Sequence, residues 1–320
     1  MITNDSVIEN VHNFSDIKPD DIFITSVNYE ERCLGIPLIF SKNIIFENSF
    51  LFVFDQEKQE TQENITKIHE ILKTKTKNYE EIISHEQDVF EAVARLCSKI
   101  MTPIKNSRII VDITTMPIKL LLILLKTLDD LKLWNNIRIY YTEPLNYKTE
   151  LYLPMSIGIG KIQAIGEFIA NTSTSLPSLL IEFLGYEGDR ARAIYNHSEP
   201  DDTVLIIPKP AFYPSWEGKT ERMNNTLLKI VGKKNRVYAN PIDVKDVINT
   251  LEEIKQRFPP YKYKWTVIPL GTKPQALGLY LFWKKNPNLF TILHAEPLKN
   301  NPSFSSTGIG KTRLLFEQTA

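Results

Sequence analysis

The chain contains the same short motifs twice and in the same order, and this internal repeat constrains its fold more than any other feature. An apolar run typical of a strand ends in a Tyr-Glu pair at Tyr29 and again at Tyr186. A later polar turn ends at Pro117 in the first half and at Pro274 in the second. The separations are equal, since 117 − 29 = 88 and 274 − 186 = 88. Equal spacing over this length predicts two copies of one domain.

Two further motifs keep this register. Glu-Pro-Leu occurs at Glu143 and at Glu296, which lie 143 − 29 = 114 and 296 − 186 = 110 positions after the respective tyrosines. A string that ends in Gly-Ile-Gly-Lys follows each of them and begins at Ser156 and at Ser306. Motifs that recur in order at nearly constant offsets are typical of a tandem duplication.

Within each copy, strand patterns alternate with helix patterns. The first copy has apolar strands predicted at 22–27, 50–54, 79–83, 108–113 and 137–142. The second copy has them near Leu180, Val204, Arg236, Trp265 and Phe290. Apolar strands separated by helices indicate a parallel sheet that is covered on both faces. Right-handed crossovers then give a doubly wound sheet with the strand order 3-2-1-4-5.

The predicted fold class is therefore α/β, with two tandem duplicated Rossmann-like domains at residues 1–170 and 171–320. Their sheets are expected to be mostly parallel, and the two domains to be related by a pseudo-twofold axis. The segment after each fifth strand, residues 150–159 in the first copy, is predicted to form an antiparallel edge extension.

Polar motifs follow the strands that flank the predicted crevice. Doubly wound sheets bind ligands at the carboxyl ends of their strands where the winding reverses, here between the first and fourth strands. The candidate ligand-binding residues are Tyr29, Glu30, Arg32, Thr114 and Thr115 in the first copy and Tyr186, Glu187, Arg190, Gly271, Thr272 and Lys273 in the second. The candidate acids, bases or metal ligands are the carboxylates Asp112, Glu143, Asp189 and Glu296. We expect these motifs to converge on one edge of each sheet.

A structural role is the alternative for the same residues. Threonine before Pro117 or Pro274 is suited to capping a helix that begins with proline. The Tyr-Glu pair and the arginine after it are equally suited to a local ion pair that fixes the first helix of each copy. Three aromatic residues after the second strand of copy two, Phe212, Tyr213 and Trp216, either stack on a base or pack the loop.

The turn Gly271-Thr272-Lys273 enters a helix and offers backbone N–H groups, a hydroxyl and an ammonium to an anion. It resembles the Gly-Thr-Lys motif after the fourth strand of CARF domains, which are Rossmann-like sensors of cyclic oligonucleotides in prokaryotic antiviral systems. The resemblance covers this motif and the strand order, and it implies that the three residues touch a ligand phosphate or ribose. The first copy has Thr114 and Thr115 at this place and lacks the lysine. We therefore do not expect equal ligand contacts in both copies.

Three functions fit this pattern. The first is a ligand sensor that binds a nucleotide-like anion, such as a cyclic oligonucleotide, and signals to a separate effector protein in a defence system. The second is an enzyme that hydrolyses or transfers a nucleotide, phosphodiester or N-glycosidic group in the same crevice, with Lys273 or Arg190 steadying a phosphate or oxyanion. The third is a scaffold that binds only proteins. The motifs leave any cofactor open, and two cysteines and scattered histidines predict no metal site.

Composition limits the partners. The chain has 38 Lys and Arg residues and 38 Asp and Glu residues, so its formal net charge is zero. A balanced chain predicts no extended nucleic-acid surface, because such surfaces need concentrated positive charge. The chain begins without a signal-peptide pattern, and its densest apolar run, residues 120–125, is far shorter than the about 20 residues that cross a bilayer. We expect a cytoplasmic protein that does not contact a membrane.

Overall fold

The structure is a computed structural model that describes residues 9–10, 17–40, 45–54, 58–85, 87–100, 107–147, 156–171, 173, 175–301 and 306–318. The chain divides into two compact units. Unit 1 comprises Met1–Leu151 together with Pro302–Ala320, and unit 2 comprises Tyr152–Asn301.

Unit 1 contains a parallel sheet with helices in the connections. Its strands are β1 (Glu9–Asn10), β2 (Ile22–Val27), β3 (Phe46–Phe54), β4 (Thr76–Ser84), β5 (Ile109–Asp112) and β6 (Ile137–Tyr147). Its helices are α1 (Gly35–Ile39), α2 (Lys58–Lys75), α3 (Val89–Ile100) and α4 (Ile118–Asp130). Strands β6-β5-β2-β3-β4 are neighbours in this order and pair in parallel. The predicted order 3-2-1-4-5 is confirmed, with β2 as the first strand and β5 as the fourth.

Unit 2 has the same arrangement. Its strands are β7 (Ser156–Ala164), β8 (Ser178–Phe183), β9 (Asp202–Pro208), β10 (Arg236–Ala239), β11 (Lys264–Pro269) and β12 (Phe290–Asn300). Its helices are α5 (Gly188–Ser198), α6 (Lys219–Met223), α7 (Asn225–Val231), α8 (Val244–Arg257) and α9 (Lys273–Lys285). Strands β10-β9-β8-β11-β12 pair in parallel, so β8 and β11 flank the point where the winding reverses.

Each parallel sheet is extended at its fifth strand by an antiparallel strand from the sequence of the other copy. Strand β13 (Ser306–Gln318) pairs with β6, and Ser306 lies opposite Tyr147. Strand β7 pairs with β12, and its first residue, Ser156, lies opposite Asn300. The predicted antiparallel extension is therefore confirmed from Ser156 onward, while residues 150–155 lie outside the described residues.

The compact units have other bounds than the sequence copies 1–170 and 171–320, because the final strand of each copy belongs to the other unit. The repeat does not specify this exchange. Each final strand begins with a serine and carries a Gly-Ile-Gly-Lys string. By sequence alone, either strand could therefore pair with either sheet edge.

Apolar side chains fill the space between the sheets and their helices. In unit 1, the Phe23 ring meets Phe40 edge-on at 4.9 Å between centroids and stacks on Phe46 at 5.9 Å. In unit 2, Trp265 stacks on Phe290 at 6.4 Å. Across the described ranges, no helix combines the length and the apolar character that a membrane crossing requires. Burial on both faces leaves the carboxyl ends of the strands as the place where polar side chains gather.

Candidate functional site

In unit 1, the Tyr-Glu motif forms a buried ion pair. Arg32 Nη2 lies 2.7 Å from Glu30 Oε2, and both residues are 7% exposed. Arg32 Nη1 also donates to the Tyr141 hydroxyl at 3.0 Å and to the Thr142 carbonyl at 3.4 Å. Burial acts to raise the pKa of Glu30, but the charge of Arg32 and hydrogen bonds from Arg32 and Ser306 outweigh it and lower the pKa to about 2. The pair is therefore ionised and has protein partners.

The polar residues at the ends of β2 and β5 form a second closed network. Asp112 accepts hydrogen bonds from Thr114 N at 2.9 Å, from Thr25 Oγ1 at 3.1 Å and from the Thr114 hydroxyl. Thr115 Oγ1 donates to the Ser26 carbonyl at 2.8 Å. Burial raises the pKa of Asp112 to about 6, although hydrogen bonds from Thr114 and Thr25 and the charge of Arg32 act in the opposite direction. The predicted residues Asp112, Thr114 and Thr115 therefore bond to one another and to Thr25 and Ser26 of β2.

The remaining unit 1 candidates also have protein contacts. Glu143, in β6, forms an ion pair with Arg313 of β13. Tyr29 is half-buried in the turn after β2. Most of the predicted site residues of unit 1 therefore bond to other protein groups. This is the structural role given above as the alternative for these motifs.

In unit 2, the Tyr-Glu motif repeats the arrangement of unit 1. Arg190 Nη1 lies 2.8 Å from Glu187 Oε2, and Arg190 Nη2 donates to the Ala295 carbonyl. The hydroxyl of Ser156 donates to Glu187 Oε1. Asp189 lies apart from this cluster, because its side chain is 99% exposed and pairs with Arg192 on the surface at 3.2 Å.

The Gly271-Thr272-Lys273 turn forms the start of α9. The Thr272 hydroxyl accepts from Gln275 N at 3.3 Å, and Thr272 N donates to Gln275 Oε1 at 3.0 Å, which is a capping box. A Cβ atom at Gly271 would lie 2.1 Å from Gln275 Oε1, so a larger residue here would displace the side chain that completes the capping box. Lys273 is half-buried as the first residue of the helix, and Glu296 is half-buried in β12.

Sequence reasoning missed Glu182, the second-last residue of β8. Its side chain is 0% exposed, and neither carboxyl oxygen has a hydrogen-bond partner among the described residues. Its register partners on the neighbouring strands are the apolar Leu205 and Ile268. Burial raises the pKa of Glu182 well above its usual range, which favours the protonated acid. The signal was a single acid inside the otherwise apolar run Leu179–Leu184.

Three of the other buried polar atoms without partners lie on elements that adjoin the carboxyl ends of β8 and β11. Within the described ranges they are Arg190 Nε in the first turn of α5, Asn224 Oδ1 between α6 and α7, and Gln275 Nε2 in the first turn of α9. Asn224 is fixed to the turn after β8, since its Nδ2 donates to the Gly185 carbonyl at 2.9 Å. Ser306 Oγ in unit 1 also has no partner among the described residues, so the unmet hydrogen-bonding capacity is more extensive in unit 2 but is not confined to it.

The aromatic residues of the loop after β9 pack beside Tyr186. The ring centroids of Tyr186 and Trp216 are 5.8 Å apart, and those of Tyr213 and Trp216 are 5.0 Å apart. The ammonium of Lys219 lies 4.7 Å from the Tyr186 centroid and 5.3 Å from that of Trp216. Burial, together with the positive charge of Arg222, lowers the pKa of Lys219. The loop thus brings an aromatic surface and a cation to the end of β8.

A metal site requires several ligating side chains close together. In the part of the chain that the structure describes, no group of three or more His, Cys, Asp or Glu side chains is placed to hold an ion.

Comparison with known proteins bears on the fold. No protein-family model matches the sequence, and no curated protein is similar to it. The architecture is that of two Rossmann-like α/β domains with mostly parallel sheets. A solved structure of a type III CRISPR defence DNA nuclease activated by cyclic oligoadenylate has a similar fold, with a TM-score of 0.52 at 10% sequence identity. The match covers 82% of this chain and 64% of that nuclease. At this level of identity the likeness concerns the fold alone.

Proposed function

We propose that this chain is a CARF-type sensor that binds a small nucleotide-like anion at the carboxyl ends of the strands of unit 2 and acts in prokaryotic antiviral defence. The observation that carries the proposal is the set of buried polar atoms without partners around β8. A buried polar group that makes no hydrogen bond costs about 1–3 kcal/mol. Such groups are rare in folded proteins and need a specific explanation, and a bound ligand supplies one here.

The charges around this place favour an anion. Arg190, Lys219 and Lys273 lie on the turns and helices that follow β8, β9 and β11. Lys273 also begins α9, where the helix dipole adds partial positive charge. The half-buried ring of Tyr186 adds aromatic surface of the kind on which bases stack. Phosphate and base together indicate a nucleotide, and the similar nuclease is activated by cyclic oligoadenylate, which makes that class the first probe.

Unit 1 is proposed to have lost this role. Thr114 and Thr115 stand at the place of the Gly-Thr-Lys turn, and their hydroxyls bond to Asp112 and to the Ser26 carbonyl. We infer a tandem duplication in which one copy kept a binding crevice and the other closed it. One ligand per chain is therefore expected. An output through a separate effector protein belongs to the same proposal.

The test is a binding panel on the full chain. Cyclic oligoadenylates, linear oligoadenylates and mononucleotides are titrated by calorimetry, with melting temperature and chromatographic product analysis in parallel. The expected result is a melting shift with a stoichiometry near one and no product. Absence of binding across the panel would sink the proposal, and product formation would favour the enzyme alternative.

Lys273→Ala tests the assignment of the anion contact. Loss of one charge-assisted contact to a phosphate is expected to weaken binding by about tenfold or more. Lys245→Ala is the matched control, because Lys245 lies exposed in the first turn of α8 in the same unit. Equal affinity of a folded Lys273→Ala variant and the wild type would refute the role of Lys273.

A further inference from the structure

We propose that the Tyr-Glu motif and its arginine form, in each unit, a clasp that fastens the strand supplied by the other copy, so that the two copies depend on each other. The clasp is defined as Glu30 and Arg32 in unit 1 and as Glu187 and Arg190 in unit 2. This inference does not rest on the proposed ligand.

The clasps of the two units make equivalent bonds. In each unit, the arginine pairs with the glutamate and donates to a main-chain carbonyl of the fifth strand, that of Thr142 in β6 or of Ala295 in β12. These two carbonyl residues are equivalent in the sequence repeat, since each directly precedes a Glu-Pro-Leu motif. The repeated geometry argues for a shared structural task.

The second oxygen of each clasp glutamate binds the exchanged strand. Glu30 Oε1 accepts a hydrogen bond from Ser306 N at 3.2 Å, and Glu187 Oε1 accepts one from the Ser156 hydroxyl. Both serines are the first residues of their strands. Each glutamate therefore joins the first helical turn of its unit to the start of a strand from the other copy, and the serines are positioning residues.

The glycines of the exchanged strands fit the same task. Gly308 and Gly158 both have φ of +67°, a left-handed conformation that favours glycine. A Cβ atom at Gly308 would lie 3.0 Å from Leu145, and one at Gly158 would lie 2.7 Å from Leu298. Each leucine belongs to the Glu-Pro-Leu motif of the paired strand. The string that opens with serine and ends in Gly-Ile-Gly-Lys therefore recurs because it seats an exchanged strand.

A clasp and a simple helix anchor predict different weak points. If the Glu187–Arg190 pair only anchors α5, its loss frees the helix, whereas loss of a clasp frees β7. The discriminating experiment is amide hydrogen exchange on the full chain carrying Glu187→Gln. Exchange in residues 156–164 is expected to rise by about tenfold or more, because a charged acceptor is lost, while β8 and β11 stay protected.

Asp189→Asn is the matched control, since Asp189 lies two residues from Glu187 and is 99% exposed. It is expected to leave β7 unchanged. Glu30→Gln is expected to free residues 306–318 in the same way, which tests the second clasp. If Glu187→Gln does not fold, Ser156→Ala removes only the hydroxyl and is expected to raise exchange at the start of β7. Faster exchange confined to α5 in Glu187→Gln, or unchanged β7 in both unit 2 variants, would overturn the proposal.

Discussion

Replacing Glu182 with methionine is expected to stabilise the protein, because it removes a buried carboxyl that no described group bonds. The side chain is 0% exposed, and its register partners Leu205 and Ile268 are apolar. Methionine has a similar length and no polar atom to leave unmet. The expected gain is about 1–3 kcal/mol in the free energy of unfolding. For a unit of this size that is a rise in melting temperature of roughly 3–10 °C.

The pH dependence of stability gives an independent test of Glu182. Its pKa is raised in the folded state, so between the unfolded value near 4.5 and the folded value the native protein binds more protons than the unfolded chain. The stabilising contribution of the protonated acid is complete below about pH 4.5 and decreases as the pH rises above it. Wild-type stability should therefore fall with rising pH relative to Glu182→Met, by at most about 1.4 kcal/mol per pH unit for one group.

Denaturant unfolding of wild type, Glu182→Met and Glu182→Gln at pH 4, 6 and 8 measures both effects. Glutamine keeps polar atoms of the same shape, so it should remove the pH dependence without the full gain in stability. In the ligand assay, Glu182→Met is expected to bind more weakly than wild type, since stability gained at a functional site often costs binding. A lower stability of Glu182→Met at neutral pH would refute the reasoning, because it would mean that the carboxyl has a stabilising partner.

Two further outcomes follow from the closed network and the exchanged strands. Thr114→Val removes the hydrogen bond that Thr114 donates to Asp112 and the one that it accepts from Thr142 N. The free energy of unfolding, measured by calorimetric melting, should therefore fall by about 1–3 kcal/mol. An unchanged melting temperature would contradict the network. Gly310→Ala places a Cβ atom 2.6 Å from the Glu143 carbonyl oxygen, whereas Gly160→Ala places one 3.4 Å from the Glu296 carbonyl oxygen. Chemical unfolding should therefore show a much larger loss of stability for Gly310→Ala than for Gly160→Ala. Equal losses would contradict the close contact between the backbones of β13 and β6 at Gly310.

The parallel core of each unit was predictable because apolar runs and their spacing determine it. The runs at 22–27 and 137–142 lie inside β2 and β6, and the equal separation of Tyr29 from Pro117 and of Tyr186 from Pro274 predicted the same winding twice. The convergence of polar motifs at the carboxyl ends followed from the strand order alone.

The partner of each edge strand was not predictable from these patterns. β7 and β13 carry the same motif, and the strands that they pair with, β12 and β6, both contain Glu-Pro-Leu. Local sequence therefore does not distinguish the two possible pairings. The use of the polar residues was equally hidden. A threonine such as Thr115 has the same identity in the sequence whether its hydroxyl meets a ligand or, as here, the Ser26 carbonyl.

The contrast between the two crevices follows from single positions of the repeat. Tyr29 and Tyr186 differ by 186 − 29 = 157, and the same offset places Glu182 at the position of Thr25 and Pro269 at that of Asp112. In unit 1 the hydroxyl of Thr25 donates to Asp112 at 3.1 Å. In unit 2 the acid lies on the other strand, β8, and its register partner on β11 is Ile268, whose side chain has no hydrogen-bond donor.

An apolar residue at position 182 would be more stable than an acid without a partner, so the fold alone does not account for Glu182. Unit 2 instead retains a buried carboxyl whose oxygens have no partner among the described residues. The described packing around this carboxyl does not offset the free energy that its burial costs. This agrees with the proposal that unit 2 is the copy that binds a ligand.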